Sequence, residues 1–364
     1  MKIKKNFGRV VTVLLAALLC TACLKDSTDL PDDFGVGRHP EDEHLSSGSE
    51  TTGENDSESN SESNSESASE SDSESTNPPV VNPNPDGKLW AKIDGKYTYY
   101  NTRPDRSALS DLSDVAATSR EHFVDAAEGA NGSWFAGKVV RDLTTGQVTY
   151  VWDRHKPTLD LLDKYNGIYR GDSEKKVCYL TFDCVYEFGC TADILNTLKE
   201  KDVPAIFFVT LPYAKTEHEL IERMINEGHM VGNHTANHPN LTSLTEQQFI
   251  KEIEDVENYL YENFPNIPAV TYMRPPEGAT NEWALKLADK MGLRTVLWSF
   301  TYKDYDTNNQ LNPADALEML KVGLHNGCVY LLHAQSTTNA AVLGDLIDWI
   351  RGQGYEILPL CDIK

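Results

Sequence analysis

The sequence predicts an α/β fold, a distorted (β/α)7-type barrel of parallel strands, and three observations carry that expectation. From Lys176 onward, seven short apolar runs alternate with six longer amphipathic stretches, the rhythm of strand and crossover helix. The runs are rich in β-branched and aromatic residues and nearly continuous, as strands covered on both faces must be. Side chains able to do chemistry gather just past the C-terminal ends of those runs, the rim at which α/β barrels assemble sites. An eight-unit barrel and a doubly wound open sheet are the alternatives the same rhythm allows.

Met1–Cys23 reads as a lipoprotein-type signal peptide. The basic start MKIKKNFGR precedes the apolar run VVTVLLAALLC and the small residues Thr21 and Ala22 before Cys23. The run is about a dozen residues, short of the roughly twenty that a membrane span needs. Cys23 is then the lipidated residue, although Cys20 stands where leucine is usual. Residues 24–87 form a disordered acidic linker. Leu24–Asp86 holds 17 acidic residues against 2 basic ones around the repeat SESNSESNSESASESDSEST, so like charges repel and there is nothing to bury. The expectation is an extracytoplasmic domain held by a lipid anchor and facing the cell wall. The net charge of −23, with no clustered basic face, excludes a nucleic-acid partner, and a monomer is expected.

Residues 88–174 read as a cap or lead-in segment, with one hairpin in GKVVRDLTTGQVTYVWD and one short helix in PTLDLLDKY. Residues 175–364 hold the barrel. Strands are expected over 177–182, 205–210, 229–233, 269–274, 295–300, 328–333 and 356–360. The helical patterns are ADILNTLKEK, EHELIERMINEG, SLTEQQFIKEIEDVENYLYENF, TNEWALKLADKMG, NPADALEMLKVG and NAAVLGDLIDWIRGQG. The third opens at an N-capping Ser243 or Thr245, and the last three each run into a glycine. Five cysteines lie beyond the export segment, an odd number with no CxxC pair, so no disulfide framework is implied. Cys178, Cys190, Cys328 and Cys361 are expected as small buried hydrophobes.

The reactive residues fall at strand ends. Asp183 and Cys184 follow the first run, His234 and His238 the third, Arg274 ends the fourth, Asp304 follows the fifth and His333 ends the sixth. The i, i+4 spacing of His234 and His238 points two imidazoles the same way on a helical turn or a tight loop, which suits a divalent metal. His229, which opens its strand, is expected to be structural, and His325, in a turn, to be solvated.

TFDC at 181–184, HTANH at 234–238, RPPEG at 274–278 and LLH at 331–333 resemble, in order and spacing, the signature motifs of NodB-homology polysaccharide deacetylases, carbohydrate esterase family four. The resemblance covers about Lys175 to Leu360. GHMVGNHTANHPNLTSLT, TYMRPPEGATNEWALK and NGCVYLLHAQSTTNAAVLGDLI are similar to the delta-lactam-biosynthetic muramic acid deacetylases. It implies a hydrolase of non-peptide carbon–nitrogen bonds, acting on the acetamide of N-acetylmuramic acid in the peptidoglycan glycan strand. A divalent metal, zinc for preference, would sit on His234 and His238 and serve as Lewis acid. Asp183 would be the general base, held ionised by Arg274. His333 would protonate the leaving amine, with Asp304 raising its pKa. Leu331 and Trp298 would line the acetyl pocket, with Pro276 and Glu277 beside the substrate.

The chain also departs from the family's pattern. Cys184 replaces a metal-binding aspartate, which leaves two readings open, a third ligand or a packed neutral thiol. Val185 replaces a glycine, Phe188 a polar residue and Tyr305 a tryptophan. Two alternatives to the peptidoglycan reading remain. One keeps the chemistry on another polymer, chitin-like or acetyl-xylan. The other is a catalytically silent glycan-binding lipoprotein.

Overall fold

The computed structural model describes residues 87–120, 138–141, 148–151 and 156–364. The expected signal peptide with Cys23, the linker up to Asp86 and the turn of the 138–151 hairpin lie outside the described residues. The lead-in opens with strands β1 (Trp90–Ile93) and β2 (Lys96–Tyr99), paired antiparallel. The short helix α1 (Ser113–Ala116) follows, then the antiparallel strands β3 (Lys138–Arg141) and β4 (Val148–Val151), and helix α2 (Lys156–Lys164). The predicted hairpin and helix are thus both present.

Strand and helix then alternate. The order is β5 (Val177–Cys184), α3 (Thr191–Glu200), β6 (Ile206–Val209), α4 (Leu211–Thr216), α5 (His218–Asn226), β7 (Met230–Asn233), α6 (Glu246–Asn263) and β8 (Tyr272–Met273). It continues through α7 (Glu282–Lys290), β9 (Arg294–Thr295), α8 (Pro313–Val322), β10 (Cys328–His333), α9 (Thr337–Gly352) and β11 (Glu356–Ile357). The strands β5 to β11 form one parallel sheet in the order β10-β5-β6-β7-β8-β9, with β11 paired to the start of β5. Helix α4 carries no periodic signal in the sequence, because six residues are too few to show one. Its own signals are local, a Thr210 N-cap and Pro212 in the first turn. Thr245, rather than Ser243, caps α6, through a capping box with Gln248.

Among the described residues, the sheet closes on itself without an eighth strand. The expected strand over 295–300 is regular only at its first residue, because hydrogen bonds to the Ser299 hydroxyl and to Ile168 replace the ladder. Ser299 Oγ accepts from the Val329 N–H at 2.8 Å. Ile168 of the lead-in wedges alongside, donating to Thr295 O at 2.8 Å and accepting from Leu297 N at 2.6 Å. Even so, Ser299 N and Phe300 N donate to Val329 O at 3.0 and 3.2 Å, and Leu331 N donates to Phe300 O at 2.9 Å. This irregular segment therefore joins β9 to β10 and completes the ring.

Alternation along each strand divides the core in two. Tyr179, Ile206, Phe208, Met230, Tyr272 and Leu331 point inward and meet Tyr99 and Ile168 of the lead-in. Leu180, Phe182, Phe207, Val209 and Leu332 point outward against Ile194 of α3 and Leu346 of α9. The five cysteines of the described residues are free and buried. His229 is buried, as a structural residue should be. His325 is not solvated. It is buried, with Nδ1 against Gly323 O at 2.8 Å and Nε2 against Ser299 Oγ at 3.0 Å, because the irregular closing segment folds over it.

Gly327 marks where the turn before β10 presses on the lead-in. Its φ is +73°, and a Cβ there would stand 2.5 Å from the Gly171 carbonyl oxygen. Gly327→Ala should cost about 2 kcal/mol or more in chemical denaturation of the full chain, combining left-handed strain with a backbone clash. A loss below about 0.5 kcal/mol, the range of a neutral surface change, would contradict that packing.

Candidate active site

The inward series of β5 continues past Tyr179 to Thr181 and Asp183, and that of β10 past Leu331 to His333. Asp183 and His333 are register partners on these adjacent parallel strands, and neighbouring strands lie about 5 Å apart. The two side chains therefore share the inner mouth of the barrel.

Arg274 reaches this mouth from the end of β8. Its side chain is fully buried. Nη1 donates to Asp183 Oδ1 at 2.6 Å, Nη2 to Thr181 Oγ1 at 2.7 Å and to Leu297 O at 3.3 Å, and Nε to Val296 O at 3.2 Å. The Thr181 hydroxyl in turn donates to Tyr330 O at 2.5 Å. The guanidinium also lies 4.4 Å from the Phe208 ring centroid and 5.8 Å from that of Trp298. Burial pushes the Asp183 carboxyl up, but the Arg274 charge, aided by His234 and His333, outweighs it and holds the group below the usual carboxylate range.

His234 and His238 lie in a loop after β7, with ring centroids 4.9 Å apart. The loop is strained: Thr235 and His238 have φ of +68° and +56°, and Glu277, facing it, has +57°. Hydrogen bonds hold that strain in place. Thr235 N donates to Asn233 Oδ1, His238 N to Thr235 Oγ1, and Ala236 N and Asn237 N to Glu252 of α6. His234 Nδ1 stands 2.9 Å from Arg274 O, which only an Nδ1–H can satisfy, so Nε2 carries the lone pair. That Nε2 faces Asp183 Oδ2 at 3.5 Å. Burial lowers both imidazoles, His238 to about 4 with His234 adding to the effect.

His333 is held by a second acid. Asp304 Oδ1 accepts from His333 Nδ1 at 2.7 Å, and its Oδ2 accepts from His333 N at 2.8 Å and from Asn339 Nδ2 at 2.6 Å. Burial pulls the His333 imidazole down, yet the Asp304 carboxylate reverses this and leaves it above an ordinary histidine. Nε2, the ring nitrogen not engaged by Asp304, is the one free to meet a substrate.

The structure brings Asp183, His234, His238, Arg274, Asp304, His333, Leu331 and Trp298 together, with Pro276 buried and Glu277 exposed beside His238. Cys184 stands apart. It belongs to the outward series of β5, packs with Phe182, Tyr213 and Ala236, and burial pushes its thiol well above the ordinary range. Of the two readings the sequence left open, the packed neutral thiol is the one this geometry supports, because successive strand residues face opposite ways. Among the described residues, no three His, Cys, Asp or Glu side chains stand close enough to hold a metal between them. Two neutral imidazoles, one with its Nδ1 proton fixed on a carbonyl, do fit a divalent cation as donors. Thr181 and Asn339 were missed from the sequence. Thr181 could have been found, two residues before Asp183 and so on the same face. Asn339 lies a turn into α9, and nothing in its spacing marks it.

Residues 170–296 match the polysaccharide deacetylase family. The chain is 37% identical over 211 residues to the peptidoglycan-N-acetylmuramic acid deacetylase PdaA of Bacillus subtilis, covering 58% of this chain and 80% of that protein. The chain is a polysaccharide deacetylase of carbohydrate esterase family 4. The solved structure of the same relative, a family 4 carbohydrate esterase, superposes with a TM-score of 0.57 at 34% identity, over 63% of this deacetylase and 96% of that chain. A family 4 carbohydrate esterase from Bacillus anthracis superposes at 0.51 with 39% identity, over 57% and 91%. A chitooligosaccharide deacetylase of Rhizobium leguminosarum is 35% identical over 161 residues, 43% of this deacetylase and 74% of the relative. The deacetylase is thus a hydrolase of carbon–nitrogen bonds built on a parallel-strand barrel.

A buried ion pair is costly to break on one side only. Arg274→Gln should lose about 3–5 kcal/mol of stability at neutral pH, whereas adding Asp183→Asn to it should recover part of that loss. Strictly additive losses in this double-mutant cycle would show that the two side chains do not interact.

Proposed function

We propose that this protein is a metal-dependent de-N-acetylase of cell-wall peptidoglycan, with N-acetylmuramic acid as the sugar it acts on. The observation that carries the chemistry is the cross-strand pair of Asp183 and His333, a carboxyl whose proton affinity is lowered beside an imidazole whose proton affinity is raised. Amide hydrolysis needs both states at once. Asp183 Oδ1 is committed to Arg274, so Oδ2 is the oxygen that takes the proton of the attacking water. Arg274 fixes the carboxylate and keeps it ionised, with Oδ2 left to accept that proton. His333 Nε2 gives its proton to the departing sugar amine, and Asp304 and Asn339 hold the ring in position. Leu331 and Trp298, both buried on the inner face, offer an apolar wall to the acetyl methyl. His234 and His238 would hold the metal, zinc on their donor chemistry, which when bound supplies a Lewis acid for the acetyl oxygen.

The peptidoglycan reading is supported by the similarity to PdaA, and the muramic acid preference by that relative's name alone. An extracytoplasmic site with a lipid on Cys23 is part of the same proposal, supported by the basic and apolar residues of Met1–Cys23. The chitooligosaccharide relative makes chitin oligomers the control substrate. Acetate released from intact peptidoglycan and from peptide-stripped glycan should both exceed that from chitin oligomers. Preference for chitin would overturn the substrate.

Asp183→Asn and His333→Ala should each lower acetate release by about a thousandfold or more, the scale of losing a proton-transfer group. Wild-type rates in either variant would remove the assigned roles. The pH profile tests the charges separately. Because the folded-state pKa of His333 is raised, its acid form persists as pH rises past an ordinary histidine. Asp304→Asn should move the alkaline limb of kcat/KM to lower pH, and an unmoved limb would sever Asp304 from His333. Dialysis against a chelator should abolish turnover and zinc should restore it, while His234→Ala should reduce the zinc bound at equilibrium.

A further inference from the structure

Among the residues whose exposure is described, three aromatic side chains are exposed: Tyr186, Phe188 and Tyr305, at 53, 54 and 42%. All three stand on the C-terminal rim of the sheet. Tyr186 and Phe188 lie in the loop that leaves β5 just after Asp183. Tyr305 follows Asp304, and its ring meets that of His333 edge-on with centroids 5.9 Å apart. Tyr305 therefore borders the Asp183–His333 pair directly, and the other two rings belong to the loop that follows the strand carrying Asp183.

The loop after β5 is anchored rather than slack. Glu187, between the two aromatics, turns inward and accepts from the Thr191 hydroxyl, from Tyr213 OH at 3.2 Å and from Thr191 N at 3.4 Å. The Thr210 hydroxyl donates to Val185 O at 3.4 Å, and the Cys190 thiol to Phe188 O at 3.7 Å. With Glu187 tied down, its two neighbours are presented outward on a preorganised segment. Rings left in water at one place on a surface mark a binding site more often than scattered exposure does. A pyranose ring offers a face of C–H groups edged by hydroxyls, which suits an aromatic face with a polar tip such as tyrosine's. Phe188 has no polar atom in its side chain, so contact with an apolar face is all it can offer.

We propose that Tyr186 and Phe188 form a stacking platform for a sugar ring of the glycan beyond the one that is deacetylated, with Tyr305 bounding the opposite side. The platform makes the enzyme read a strand rather than a free sugar. This inference rests on the deacetylase reading, and its test keeps the two separate. Acetate release by the full chain is measured on N-acetylated glycans of one or two sugars and of six, and binding of the six-sugar glycan is measured by calorimetry. Phe188→Ala should raise KM for the longer glycan about tenfold, the size of one lost ring contact, with the loss in KM rather than kcat, and should weaken binding by a similar factor. Phe188→Trp should restore both. Equal losses at every length, a loss confined to kcat, or unaltered binding would overturn the platform. If the wild-type protein released no acetate from any glycan, the deacetylase reading would fall instead, and the calorimetry would still judge the platform.

Discussion

The rest of the structure depends on one buried cation. Arg274 has no exposed surface, and an unpaired guanidinium in such a place would be prohibitively costly. It is made tolerable by four acceptors drawn from two parts of the ring: Asp183 and Thr181 on β5, and the carbonyls of Val296 and Leu297 in the irregular closing segment. A side chain from the end of β8 thereby ties β5 to the segment that completes the barrel. The interior is plugged by a charged hydrogen-bond network where an ordinary barrel would place another apolar layer. The same network that permits the charge also sets the chemistry, since Arg274 leaves Asp183 one free oxygen and holds it ionised.

Two carboxylates in one mouth then act in opposite senses. Asp183 is paired with a permanent cation and stays an acceptor. Asp304 is paired with a titratable imidazole and makes a donor of it. The difference lies in the partners, and each partner is fixed by strand register or by a helix. Arg274 N bonds to Asn233 O at 2.9 Å, and Asn339 is presented by α9 behind its Ser336 cap. The histidine loop shows the cost of such placement. A β-branched residue, Thr235, sits at positive φ, a conformation that only dense local hydrogen bonding sustains.

Much of this was legible in the sequence. Six of the seven apolar runs hold the expected parallel strands, and the residues at their ends form the mouth, because strand period and rim position follow from side-chain direction alone. What failed to show did so for physical reasons. The run over 295–300 looks like a strand, yet Ser299 and Ile168 intercept its hydrogen bonds, and neither interception has a local signature. Cys184 follows Asp183 in a metal-binding motif, yet on an extended strand the next residue faces away, so pattern and period disagree and period decides. Asn339 carries no pattern, since its role depends on where α9 docks. His325 looked like a turn residue in solvent because nothing in its neighbourhood reveals the segment folded over it.

The buried pair itself can be observed directly. Nitrogen-15 NMR of the guanidinium groups reports whether a given arginine's Nη–H protons are free to rotate and exchange. Arg274 should give distinct, slowly exchanging Nη–H signals that persist at neutral pH and collapse when Asp183 is replaced by alanine. A single averaged, rapidly exchanging signal for Arg274 in the wild-type protein would contradict it.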